Sequence, residues 1–135
     1  MTSATMDVNV TVPGFATTLG TSAVLIQRWL SGDFEVALSE VILAKTAVVW
    51  GRPYWTARYA PGQVRTALDL LRQLANIVVP DPDVRGVAED EEDDLVLASA
   101  VAGNVDFLVT GDHRFLAVGS SLERVMDLVD WGDAE

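Results

Sequence analysis

Cysteine is absent from this chain, which removes disulfides, thiolate metal sites and cysteine nucleophiles at once. Histidine occurs once, at His113, leaving too few soft or imidazole ligands for a zinc site; His113 reads as an exposed loop residue. No G-x-x-x-x-G-K-[ST] and no G-x-G-x-x-G is present, so the glycine-rich phosphate cradles have no support. Long apolar runs are missing too. Stretches such as Ala47–Trp50 are far too short to cross a bilayer, and residues 1–12 carry Asp7 but no base, unlike a secretory signal. The expectation is a cytoplasmic protein without membrane association.

Positive charge is also scarce. Nine basic residues, of which only Lys45 is a lysine, face twenty acids, and the formal net charge is -11. Such a balance repels nucleic-acid phosphates unless the negative charge is local or is neutralised by cations. Here it is local. Asp81, Asp83, Glu89, Asp90, Glu91, Glu92, Asp93 and Asp94 fall within one short segment, whereas Arg52, Arg58, Arg65 and Arg72 lie in the middle of the chain. The composition argues against a simple nucleic-acid binder but leaves room for a metal-loaded nuclease.

What is there in quantity is hydrophobic sequence, half of the 135 residues, enough for one compact domain spanning residues 1–135. Residues 34–38, 76–79 and 106–110 read as strands, and Val8, Val10 and Val12 alternate as in a weaker one. Between them, residues 21–30, 41–50 and 61–75 follow helical spacing, with Pro61 suited to a first turn. Asp93 or Asp94 is placed to cap a further helix running to Ala102, with Gly103 or Asn104 to end it. Leu122, Val125, Met126 and Val129 are spaced as on a final amphipathic helix. The four tryptophans, at 29, 50, 55 and 131, read as packing residues. Strands alternating with helices imply an α/β fold with a mostly parallel sheet covered on both faces.

Ligands of such sheets sit just beyond the carboxyl ends of the strands, which directs attention to the acids found there. Asp112 follows the strand ending at Thr110, with Gly111 allowing a sharp turn. Asp93 and Asp94 open a helix, and Asp7 lies near the end of the first strand. Each has an ordinary explanation as a turn or cap residue, and an acidic run is usually a solvated loop. Brought together, they would repel. At 4 Å a carboxylate pair costs about 1 kcal/mol in water and about 4 at an effective dielectric of 20. A hard divalent cation such as Mg²⁺ or Mn²⁺ relieves that repulsion and favours oxygen ligands.

The stretch Asp90–Asp112, DEEDDLVLASAVAGNVDFLVTGD, resembles the acidic turn, helix and strand ending in Thr-Gly-Asp of the PIN-domain family, in particular its toxin branch from toxin–antitoxin pairs. Weaker similarity runs through FEVALSEVILAK and GRPYW, so that residues 7–118 are covered and 119–135 are atypical. The resemblance implies a three-layer α/β/α fold and Mg²⁺- or Mn²⁺-dependent cleavage of RNA. It also implies a homodimer and a small antitoxin protein as inhibitor. By position, Asp7, Asp93 and Asp112 are its catalytic and metal-binding acids, with Asp90 and Asp94 as neighbours able to share the metal. Asn9 and Thr110 match positions that place the substrate. Three departures stand out. Lys45 occupies the place of an expected acid, the strand before Asp7 is polar, and the C-terminal pattern is helical where the family has a strand. Lys45 therefore supports a second reading, a degenerate PIN domain acting as a protein- or RNA-binding module. A third reading is a plain α/β interaction domain whose acidic run only solubilises.

Overall fold

A computed structural model describes residues 2–8, 10–12, 21–86, 91–110 and 125–127 of the chain. Five strands run in chain order as β1 (Ser3–Met6), β2 (Glu35–Leu38), β3 (Asn76–Ile77), β4 (Phe107–Thr110) and β5 (Val125–Asp127). They form one sheet in the order β3-β2-β1-β4-β5, with every pairing parallel. The helices are α1 (Thr21–Leu30), α2 (Glu40–Trp50), α3 (Pro53–Thr56), α4 (Pro61–Leu74) and α5 (Glu91–Ala102).

β1 is the central strand despite its polar sequence. Ala4, Thr5 and Met6 are all fully buried, and because successive strand residues point to opposite faces, both faces of the sheet are covered there. The polarity is absorbed locally. The Thr5 hydroxyl donates to the Ala37 carbonyl on β2 at 2.8 Å, and Ser3, at the strand's start, binds Asp106. The expected three-layer α/β/α arrangement with a parallel sheet is therefore the observed one.

Two local expectations fail. Val8, Val10 and Val12 do not extend a strand; residues 8 and 10–12 are helical, and all three valines are buried. The apparent alternation also satisfies helical spacing, since Val8 and Val12 are one turn apart. The turn is started by Asp7, whose carbonyl accepts from the N–H groups of Val10 (2.9 Å) and Thr11 (3.2 Å). The C-terminal pattern is likewise not helical at Val125 and Met126. These lie in β5, which pairs along β4 with Leu108 opposite Val125 and Thr110 opposite Asp127. A free sheet edge offers ladder hydrogen bonds that a sequence-periodicity argument does not count.

At the start of α5, Asp93 and Asp94 sit inside the first turn rather than at its cap, because the helix begins at Glu91. At the end, Asn104 takes the left-handed conformation (φ 48°), the Val105 N–H donates to the Ala100 carbonyl and the Asn104 N–H to that of Val101. This is a Schellman closure with asparagine in the usual glycine place. Gly103 serves another purpose. A Cβ there would stand 2.7 Å from the Ala37 Cβ, so glycine lets the end of α5 lie directly on β2.

Candidate active site

The chain extends the sheet from β1 through β2 to β3, then returns by way of α5 to place β4 on the opposite side of β1. The strand order therefore reverses between β1 and β4, the point at whose carboxyl ends sheets of this kind have their crevice. Asp7 is the first residue beyond β1, and Thr110 is the last residue of β4. With Met6 in register with Val109, the next residues on each strand meet at the crevice floor.

The meeting is a hydrogen bond. Thr110 Oγ1 donates to Asp7 Oδ2 at 3.1 Å, and the Val8 N–H donates to Asp7 Oδ1 at 2.7 Å. The Asp7 N–H in turn donates to the Val109 carbonyl, pinning the backbone of Asp7 to β4. Asp7 is only 6 % exposed and Thr110 is fully buried. Burying a carboxylate is costly unless its oxygens are satisfied, so two donors on one carboxylate are what keeps it in place. Thr110, expected to position substrate, is the donor that holds the carboxylate of Asp7.

Around this pair runs a set of buried hydroxyls, Ser39, Ser99, Thr11 and Thr46, none of which the sequence marks as a site residue. Ser39, the residue after β2, caps α2 by accepting from the Ile42 N–H at 3.3 Å, and its Oγ lies 2.7 Å from Ser99 Oγ on α5. Thr11 and Thr46 join at 3.1 Å, tying the helical turn after Asp7 to the middle of α2. The Ser-Glu sequence opening a helix was the available signal for Ser39; nothing local marks Ser99, Thr11 or Thr46, whose partners are distant in sequence. These links fix α2 and α5 relative to the crevice.

Lys45 stands beside Thr46 on α2 and is half-buried. Asp94 is buried, and its Oδ2 accepts from the Gly86 N–H at 2.8 Å, so that one carboxylate oxygen is engaged in holding the loop that precedes α5. Asp93 is half-buried in the first turn of α5. Asn9, Asp90, Asp112 and His113 lie outside the described residues. Among the described residues no group of three or more histidines or acids is arranged to hold a metal ion. Of the acids expected to bind a metal, Asp7 is buried and rigidly oriented at a strand end, and carboxylate oxygens are the ligand type that a hard divalent cation favours.

A doubly covered parallel sheet with an oriented carboxylate at its reversal point defines a class of α/β domains that bind their ligands at the carboxyl edge. Within that class, the chain belongs to the PIN-domain family: the family model described as PIN domain matches residues 4–114. Members of the family are generally nucleases. The fold is also similar to the crystal structure of VapBC2 from Rickettsia felis bound to a DNA fragment from their promoter. The TM-score is 0.62, with 16% identity over 93% of this chain and 98% of that one. No curated protein matches the chain.

Proposed function

We propose that the chain is a divalent-metal-dependent endoribonuclease and the toxin member of a toxin–antitoxin pair. The observation that carries this reading is the buried Asp7 carboxylate, held by Thr110 and the Val8 N–H at the sheet's reversal point. A carboxylate costs free energy in such a place, and a purely structural contact has cheaper solutions. Asp7, Asp93 and Asp112 would hold Mg²⁺ or Mn²⁺, with Asp90 as an acid that could share the ion. Asp94, one oxygen of which is occupied by Gly86, contributes more to fixing the loop than to the ion. The ion supplies Lewis acidity toward a phosphodiester and screens the incoming phosphate charge from the acids. The protein's own part is orientation: Thr110 fixes one oxygen of Asp7, Val8 fixes the other, and Asn9, next to Val8 in the sequence, would position the substrate. The likeness to VapBC2 supports a small protein antitoxin as partner, and the reading includes a homodimer working in the cytoplasm. No helix among the described residues is long and apolar enough to cross a membrane.

The test is cleavage of single-stranded RNA with Mg²⁺ or Mn²⁺, with chelator and Asp112→Asn as controls. Cleavage that persists in chelator or in Asp112→Asn would overturn the reading. A degenerate, binding-only domain is the second reading, and it rests on Lys45. This cation is half-buried next to Thr46, which is bonded to the turn that Asp7 starts. If its ammonium opposes the ion, Lys45→Glu tightens Mn²⁺ binding in a calorimetric titration and Lys45→Ala falls between. Identical affinities in all three proteins remove Lys45 from the site.

A further inference from the structure

The longest acid-free stretch of this acidic chain is also where its cations gather. From Val41 to Leu68 the charged residues are Lys45, Arg52, Arg58 and Arg65, four cations in a protein of net charge -11. The centre of that stretch is α3 and its flanks, GRPYWTARY. There the Arg58 guanidinium lies over the Tyr54 ring, 3.7 Å from its centroid, and Arg58 Nη1 donates to the Tyr54 carbonyl at 2.6 Å. Tyr54 is 58 % exposed, and Arg52, Arg58 and Arg65 are exposed as well. Trp55 anchors the group. It packs on the core and meets the Tyr54 ring edge-on at a centroid distance of 4.8 Å.

We infer that this Tyr54–Arg58 stack, with Arg52 and Arg65, is a docking surface for single-stranded RNA outside the carboxylate site. An exposed aromatic ring stacked with a planar guanidinium offers a flat face to an unpaired base, while neighbouring arginines match the phosphates on either side. A large aromatic ring exposed to this extent is not needed for the core, which Trp55 and Trp50 already serve. The surface is joined to the crevice. The Trp50 indole N–H, two residues before Arg52, donates to the Val12 carbonyl at the far end of the turn begun by Asp7. That turn rises about 7 Å at helical pitch. A cationic, aromatic surface tied to the acidic site also resolves the charge problem. Strand binding falls to the acid-free segment, leaving the acids to the metal. The inference rests on the ribonuclease reading for its choice of RNA, and binding and cleavage separate the two.

The experiment is fluorescence anisotropy of a labelled single-stranded RNA dodecamer with the full chain in EDTA, over a salt series. The wild type binds, and Arg28→Gln, in α1, binds equally. Arg52→Gln/Arg65→Gln weakens binding about tenfold and flattens the slope of log K against log salt by about 1.4, the loss of two single-strand phosphate contacts. Tyr54→Leu weakens binding about five- to tenfold with the slope unchanged. Arg58→Lys keeps the slope and still loses affinity, because an ammonium does not stack as a plane. Thermal melts confirm that each variant is folded. Variants that bind as the wild type does would overturn the inference, as would a wild type that ignores RNA but binds an acidic peptide through the same arginines. Intact binding without metal-dependent cleavage would sink only the enzyme reading.

Discussion

The β1–β4 strand pair carries a hydroxyl–carboxylate contact at each end, and the two are mirror arrangements in chemistry but not in setting. At the amino end, Asp106 beside β4 accepts from the Ser3 N–H at 2.9 Å and from its hydroxyl at 3.4 Å, in an exposed position. At the carboxyl end the acid has moved to β1 and the hydroxyl to β4, and both Asp7 and Thr110 are buried. An exposed contact of this kind is a latch that water can replace, and it contributes little. The buried one has no such substitute. The same pair of residue types thus serves closure at one end and orientation of a buried carboxylate at the other, and burial separates the two settings.

Four substitutions break or sharpen that contrast. The largest effect is expected from Asp7→Asn, which should abolish RNA cleavage while leaving the metal-free protein at least as heat-stable as the wild type. Asparagine can accept from the Val8 N–H with its one oxygen while its NH2 donates to the Thr110 hydroxyl, which reverses that bond, and it removes the cost of a buried charge. Assay and melting curve are read together, and a destabilised variant would make Asp7 a structural residue. Next is Thr110→Val. Loss of a residue that orients a metal ligand costs about 10–100-fold in metal affinity or activity. The buried Asp7 oxygen left without its donor costs about 1–3 kcal/mol in a denaturant titration. Unchanged Mn²⁺ affinity would remove Thr110 from any positioning role.

Asp106→Ala should cost no more than about 1 kcal/mol and leave cleavage untouched; an activity loss here would mean that the two ends are not independent. The smallest effect belongs to Glu40 and Arg72, a two-pronged contact (2.9 and 3.1 Å) joining α2 to α4 in the open. The hydrogen bond from Arg72 holds the Glu40 carboxyl below its usual pKa. Because the folded-state value is depressed, its contribution is present above the ordinary glutamate range and disappears as pH falls through the folded value. The melting temperatures of wild type and Glu40→Gln should differ slightly at neutral pH and merge in acid. A gap that widens on acidification would reverse the assigned sign.

How far the sequence revealed this molecule depended on whether neighbours in space were neighbours in the chain. α1 and α4 show their apolar faces within one element, and their extents follow from periodicity to within a residue. The strand through Thr110 and the helix before it carry local signals at both ends. β1 does not, because the partners that satisfy Thr5 and Ser3 lie on β2 and beside β4. Nor does the turn after Asp7, where two valines one helical turn apart also fit alternation. At the site, Asp7 was legible as an acid at a strand end, but its hold on Thr110 was not, since it depends on the parallel register of β1 and β4. Gly103 was legible only as a helix terminator; its contact with Ala37 needs the packed sheet.

That hold also sets a clock. Asp7 and Thr110 are 103 residues apart, and so are Ser3 and Asp106. Pairing so distant in sequence is slow to find and must follow costly loop closure. During synthesis Thr110 follows Asp7 by more than a hundred residues, so no fragment that stops short of Thr110 can orient the carboxylate through it. On the toxin reading proposed above, the site would stay unformed on the ribosome until Thr110 had been made, leaving time for an inhibitor to be present when the crevice closes.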